Sequence, residues 1–409
     1  VAAFIAAVAV ACLQACTSQP SSKPSYEGEL GELVAIELYS DVPAAHARAE
    51  PHEQDPPAQP IEGAFIVDTG SPVTVIDGET GVPDSLLTST LSTFGVVFTD
   101  TFLLRIDLFA PELGLFGIIG GDILRYFCLA LDYRSQTGAL HERCPLLFDS
   151  THTQKPPIEL PFRLLGGGAL QLEGGHALSV PATRIALRAL VEGHETWAVV
   201  DTGASAVVLS GSIGRQLMVE HPQRPLLEGM EIHTASGSAD ATLLRASTIE
   251  VGSVLVESVP CFLPEDTTLF DYLSQEVGRD VTMLIGGTFL REFSFMVDYP
   301  AGRLRLARYV DRSHIDPGEF VFVGLALADE QGRPVVAAVY PDTDAATKDI
   351  QAGDEVKRID GVDVQDVSDA IDLISSHQVG EMVAFTLSRD GHQREVIVQM
   401  EDLLPDFYE

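Results

Sequence analysis

Basic residues are scarce in this chain. Lys and Arg number 25 against 60 Asp and Glu, a net charge of −35. Such a chain repels polyphosphate and offers no basic patch to anionic lipid, so nucleic acid is excluded as a partner and so is a polybasic membrane footing. The charge suits an exported protein kept soluble by self-repulsion. Cysteine is sparse too: Cys12, Cys16, Cys128, Cys144 and Cys261 show no zinc-site spacing. No His-Glu-x-x-His and no Gly-x-Ser-x-Gly segment occurs, which argues against a zinc peptidase and a serine hydrolase of those types. The opening run Val1–Ala15 is apolar but shorter than the ~20 residues of a membrane-crossing helix. What is present is 409 residues, 45% of them apolar, enough for two or three domains with real cores.

Two tripeptides organise the chain, Asp68-Thr69-Gly70 and Asp201-Thr202-Gly203. Each ends a short apolar run, Phe65-Ile66-Val67 and Ala198-Val199-Val200. The pattern predicts a buried strand breaking into a tight turn, with glycine supplying the turn. Each copy is followed by an apolar-apolar-Gly-Gly segment, Ile118-Ile119-Gly120-Gly121 and Leu284-Ile285-Gly286-Gly287. Leu131-Asp132-Tyr133 and Val297-Asp298-Tyr299 then follow at matching offsets. The chain therefore contains an internal duplication. Two carboxylates brought together in a dry core cannot both ionise, so they share a proton, and one can act as base while the other acts as acid.

At these residues the chain resembles the pepsin and retropepsin superfamily of aspartic proteases, over roughly residues 31 to 310. The resemblance implies a mainly β fold, two acid-protease β-barrel lobes of pepsin/retropepsin type, with half 1 at 31–150 and half 2 at 151–310. It implies that Asp68 and Asp201 are the catalytic dyad. Thr69 and Thr202 would bond across the halves, and Gly70 and Gly203 would let backbone approach the carboxylates. Ser71 would place a hydroxyl near Asp68, whereas Ala204 gives Asp201 no such donor. On that reading Asp68 is the ionised member, although the pair titrates as a unit. The chemistry needs no metal and no cofactor.

The start of the chain reads as a signal peptide over 1–15, ending in Leu13-Gln14-Ala15-Cys16, which looks like a bacterial lipobox. Cys16 would carry lipid, and residues 16–30 would form a tether. An ordinary signal peptide with a chance Cys is the alternative. The expected place is the bacterial cell envelope, lipid-anchored, at the outer membrane facing the periplasm or the surface. Cys128 and Cys144 flank a hairpin and could pair in an oxidising compartment. The preferred reading keeps Cys128, Cys144 and Cys261 as buried thiols.

In half 1, Asp41–Pro60 is rich in Pro, Ala and acidic residues and reads as an exposed insertion. About fifty positions separate Asp68 from Gly120, against about eighty-five between Asp201 and Gly286. A first flap is sought at Leu91–Leu108, with Phe94-Gly95 near its tip. In half 2, Ala235, Ser236 and Gly237 resemble a retropepsin-like flap tip, a mobile cover that opens for substrate and closes against water.

The last region differs in character. Phe322-Val323-Gly324-Leu325, Ala352-Gly353-Asp354 and Asp360-Gly361-Val362-Asp363-Val364 resemble an α+β PDZ domain, at 315–401. The resemblance implies a carboxylate-binding loop at Val323, Gly324 and Leu325. A C-terminal or extended peptide would add as a strand beside Leu325–Ala328, against a helix beginning at Val367. That helix is expected to turn Val367, Ala370, Ile371 and Ile374 to one side. Together these readings describe a monomeric endopeptidase acting on peptide or protein substrates. The competing description is a non-catalytic envelope scaffold that binds peptides through its PDZ groove.

Overall fold

The computed structural model describes residues 3–5, 23–39, 41–52, 59–78, 85–106, 114–145, 152–154, 156–171, 177–234, 237–266, 268–311, 321–330, 332–341, 343–402 and 404. Cys16, most of the leader, and the flap residues Ala235 and Ser236 lie outside them. The fold is mainly β. The chain forms two compact units, Val1–Arg224 with Glu228–Ile315, and Pro225–Leu227 with Asp316–Glu409.

In the first unit each half is built alike. A β-hairpin leads into the Asp-Thr-Gly turn, and the later apolar segment runs parallel to the strand before the Asp. In half 1 the strand Ile61–Val67 pairs with Leu115–Ile119, Val67 opposite Ile119. In half 2 His194–Val200 pairs with Val281–Ile285, Val200 opposite Ile285. The last three residues of the two strands that lead into the Asp turns are apolar because both faces are covered there. Phe65, Ile66, Val67, Ala198, Val199 and Val200 are all fully buried.

The halves join through six antiparallel strands side by side: Ile158–Pro161, Arg303–Arg308, Phe293–Asp298, Cys128–Asp132, Thr137–His141 and Val34–Tyr39. The central contact is Cys128–Asp132 against Phe293–Asp298, one strand from each half. One hydrophobic cluster runs through both halves, from Phe65 and Phe98 to Ile185 and Phe295.

Two expectations change here. The first part of the stretch read as an exposed insertion, Asp41–Pro60, is not one, because Val42–Pro51 is a strand whose burial alternates, with Ala45, Ala47 and Ala49 inward and His46, Arg48 and Glu50 outward; residues 53–58 lie outside the described ones. The period of two was present but carried by alanine, a residue depleted in strands. The three thiols are not all free either: Cys128 and Cys144 form a disulfide, and Cys261 is the free, buried cysteine.

The second unit has a core of Val336, Val356, Ile359, Val383, Phe385 and Val398. Its sheet runs Leu325–Asp329, Pro334–Val339, Glu355–Ile359, Met382–Arg389, His392–Gln399, which leaves Leu325–Asp329 at an edge. The helix Val367–Ser375 is capped by Asp366, whose side chain accepts from Asp369 N.

Candidate active site

Asp68 and Asp201 come together. Both are buried, at 0% and 1% exposure, and their carboxyls hydrogen-bond one another. Each is held at the end of its strand by the later segment of its own half: Asp68 N donates to Ile119 O at 3.0 Å and Asp201 N to Ile285 O at 3.0 Å. Gly121 N and Gly287 N then donate to Ser71 O and Ala204 O, both at 2.8 Å. The apolar-apolar-Gly-Gly segments are needed because they pass directly behind the turns. A Cβ on Gly120 or Gly286 would collide with the carbonyls of Val73 and Ala206.

The turns lock together through threonine. Thr69 N donates to Thr202 Oγ1 at 3.0 Å, and Thr202 N to Thr69 Oγ1 at 3.1 Å. Each hydroxyl in turn donates across the interface, Thr69 to Val200 O at 2.9 Å and Thr202 to Val67 O at 2.5 Å. Gly70 and Gly203 are small for a reason that also crosses the halves. A Cβ on Gly203 would lie 2.5 Å from Cγ of Asp68, and one on Gly70 would strike the carboxyl of Asp201.

The electrostatics of the pair differ from expectation. Ser71 supplies its backbone N–H to Asp68 Oδ1, at 3.0 Å beside Gly70 N at 2.6 Å, but its hydroxyl donates to Val73 O at 2.7 Å. That hydroxyl therefore does not favour an ionised Asp68. Burial pushes both carboxyls up. For Asp68 the neighbouring Asp201 pushes further, and the charge of Arg184 holds both carboxyls back. The two carboxyls therefore titrate as a pair that holds a proton above the ordinary carboxylate range. Oδ2 of Asp68 meets no donor among the described residues.

Several neighbours were not singled out from the sequence. Arg184 is 2% exposed and donates from Nε to Glu276 Oε2 at 3.1 Å. Tyr299 is buried, and both dyad carboxyls together with burial push its phenol far up, so it is neutral. Asp41 and Arg291 bridge the halves at 2.9 Å. The signal for these was the duplication itself, which places Tyr133 and Tyr299 at corresponding positions after the two Gly-Gly pairs.

The flap expectations separate. Leu226–Thr234 and Gly237–Val251 are a neighbouring strand pair, with Gly237 at the start of the second strand, while Ala235 and Ser236 lie outside the described residues. The base of the pair is gripped by Glu192, which receives Arg224 at 2.7 and 2.6 Å and Ser247 N at 2.7 Å. The hairpin at Phe94-Gly95 is not a first flap. Phe94 is 2% exposed, in the core, and the strand before it, Ser85–Thr93, pairs with Val42–Pro51 as Gly237–Val251 pairs with Arg184–Val191. It corresponds to the hairpin at Gly252, and the shorter interval of half 1 reflects the absence there of a described counterpart to the helix Gly211–Glu220 and the strand Leu226–Thr234.

In the second unit Val323 and Leu325 are buried core residues, and Gly324 has φ +73° and no room for a Cβ, which would strike Thr343. The helix at Val367 lies against the edge strand Leu325–Asp329. Ala370 is fully buried, with Leu373 and Ile374 packed on the core, while Ile371 is 49% exposed. Ile371 thus lies at the edge of the expected face, about 100° round the helix from the buried Ala370. One turn after Val367, it stays available outside the core.

Comparison with known proteins agrees with this division. Residues 187–292 match the family described as "gag-polyprotein putative aspartyl protease", and residues 321–400 match the PDZ domain family. The first match covers Asp201-Thr202-Gly203 and Gly286-Gly287 and lies wholly in half 2. A curated relative, the serine protease Do-like HtrA of Lactobacillus helveticus, is 33% identical over 66 residues. That stretch spans 16% of this chain and 16% of the relative. The chain carries an aspartyl-protease-like domain and a C-terminal PDZ domain, both of types that bind peptide or protein.

Proposed function

We propose that the protein is an aspartic endopeptidase of the bacterial cell envelope whose PDZ domain recruits a substrate or partner. The observation that carries this reading is the buried Asp68–Asp201 pair, with each half's glycine packed on the other half's carboxyl. A scaffold gains nothing from two desolvated carboxyls that hydrogen-bond each other, because burying them costs stability. In an endopeptidase the arrangement has a use. Asp201, the charged member, takes a proton from a water as that water attacks the scissile carbonyl carbon. Asp68 gives its proton to the carbonyl oxygen; as the C–N bond of the resulting gem-diol breaks, the proton on Asp201 passes to the leaving amine and a gem-diol hydroxyl returns a proton to Asp68.

The PDZ groove would be the edge of Leu325–Asp329 together with Val367 and Ile371. An extended peptide would add its backbone hydrogen bonds there. The envelope setting draws on the Cys128–Cys144 disulfide, which belongs to an oxidising compartment, and on the lipobox-like segment ending at Cys16. Both aspartates come from one chain, so a monomer holds a complete site.

The test is a peptide library incubated with the purified protein from acid to neutral pH, with and without pepstatin. Cleavage abolished by pepstatin and by Asp201→Asn is expected. A well-folded protein that cleaves nothing across that range would overturn the peptidase reading.

A further inference from the structure

The two carboxyls have unequal neighbours, and the inequality lies in the hairpins that deliver them. In half 2, Ile185 pairs with Val200, and one further step of that register sets Arg184 across from Asp201. In half 1, Ala44 pairs with Ile66, and two further steps set Val42 across from Asp68. Directly opposed residues on antiparallel strands put their side chains on the same face. By that register one carboxyl lies across from a valine and the other across from an arginine.

A guanidinium does not lose its charge on burial, so it demands a counter-charge. Glu276, from the helix Thr268–Val277, provides it: the two side chains are 3% and 9% exposed, and Glu276 is itself fixed by Gly167 N at 3.3 Å. Arg184 engages Glu276 through Nε. Its electrostatic partners are Glu276, Tyr272 and Asp201, and its charge also reaches Asp68, but it is Asp201 that the register sets across from it. The other groups around the pair do not reproduce this asymmetry. Tyr133 and Tyr299 are both buried neutral phenols, and Asp41 is neutralised by Arg291.

We propose that Arg184 is a positioning residue that makes Asp201 the charged member of the dyad, so that proton abstraction from water is assigned to half 2 and proton donation to half 1. In a dyad of two identical halves that choice is undetermined. Here a single Val-to-Arg difference between the halves decides it. The role in catalysis rests on the peptidase reading above, whereas the charge order does not.

The experiment has two arms on the full-length protein. Carbon-13 NMR of labelled aspartate carboxyls, titrated in the wild type, is expected to show Asp201 ionising at lower pH than Asp68. The reverse order overturns the proposal, whether or not any substrate is cleaved. The second arm compares pH–rate profiles. Arg184→Met removes a positive charge, so both limbs of the bell should move up by about one pH unit. Arg184→Lys should keep the wild-type profile. Glu276→Gln removes the opposing charge and should move the bell down. Opposite displacements are not produced by simple loosening of the fold. An active Arg184→Met enzyme with an unmoved profile overturns the proposal, and so does an upward shift in Glu276→Gln. A wild type that cleaves nothing removes the peptidase reading and leaves the NMR arm to decide the charge order.

Discussion

Ala130 and Met296 lie directly opposite one another in the strand pair that joins the two halves. Each stands ten positions after the first glycine of its own Gly-Gly pair, so each is the other's counterpart. Counterparts that meet face to face mark a two-fold axis, the isologous contact of a symmetric dimer, here made within one chain. The crossed Thr69–Thr202 bonds and the crossed packing of Gly70 on Asp201 and Gly203 on Asp68 obey the same axis.

From that geometry the dyad must be internal. Asp68→Asn and Asp201→Asn should each abolish cleavage while leaving the circular dichroism spectrum unchanged. Mixing the two variants should restore nothing, because one chain supplies both carboxyls. Recovery on mixing, or half the activity in each variant alone, would show that the sites form between chains.

The threonine lock predicts a stability effect. Thr202→Val removes the acceptor of Thr69 N and the donor to Val67 O, leaving two buried backbone groups unpaired. The cost should be roughly 2–4 kcal/mol in denaturant unfolding. Thr202→Ser keeps the hydroxyl and should recover most of it. Equal midpoints for Val and wild type would remove the lock from the account.

Much of this was legible in the sequence, and for a physical reason. Asp-Thr-Gly and Gly-Gly are where backbone meets carboxyl or carbonyl at short range, so no other residue fits and the repeat stays visible. The strand Val42–Pro51 was not legible, because its inward positions are alanine and its outward ones charged. Phe94-Gly95 has the turn chemistry of any hairpin, and only its burial and pairing identify which hairpin it is. The charge order of the dyad could not come from Ser71, since a hydroxyl chooses among several acceptors and here takes Val73 O. The influence of Arg184 depends on strand register, which a linear reading did not supply.

Ile371 and Val367 offer a test of the PDZ groove that leaves the dyad alone. Ile371 is 49% exposed, so Ile371→Glu should leave the fold stable. It should slow cleavage of protein substrates more than that of short peptides, by removing a second attachment point. Equal effects on both kinds of substrate would count against recruitment.

The disulfide Cys128–Cys144 closes a loop of 16 residues. On the chain-entropy estimate, a loop of that length is worth about 3 kcal/mol. Cys128→Ser with Cys144→Ser should lower the unfolding free energy by about that amount, and reductant should do the same to the wild type. Insensitivity of the wild type to reductant under unfolding conditions would contradict it.

The dyad itself should carry a stability cost that varies with pH. Burial and mutual repulsion raise the Asp68 carboxyl well above its ordinary value in the folded protein, so the folded state holds that proton more tightly than the unfolded chain does. Stability therefore falls as pH rises from about 4, the value of an unperturbed Asp, toward the folded-state value, and is flat beyond it. Asparagine carries no such proton. Asp68→Asn should thus be the more stable protein near pH 7. The advantage should shrink as pH is lowered and vanish below about pH 4. Thermal unfolding of both proteins from pH 3 to 8 measures the gap. An Asp68→Asn protein that is less stable than wild type at pH 7 would mean that the carboxyl is held charged by donors around it, and that the proton of the pair does not reside there.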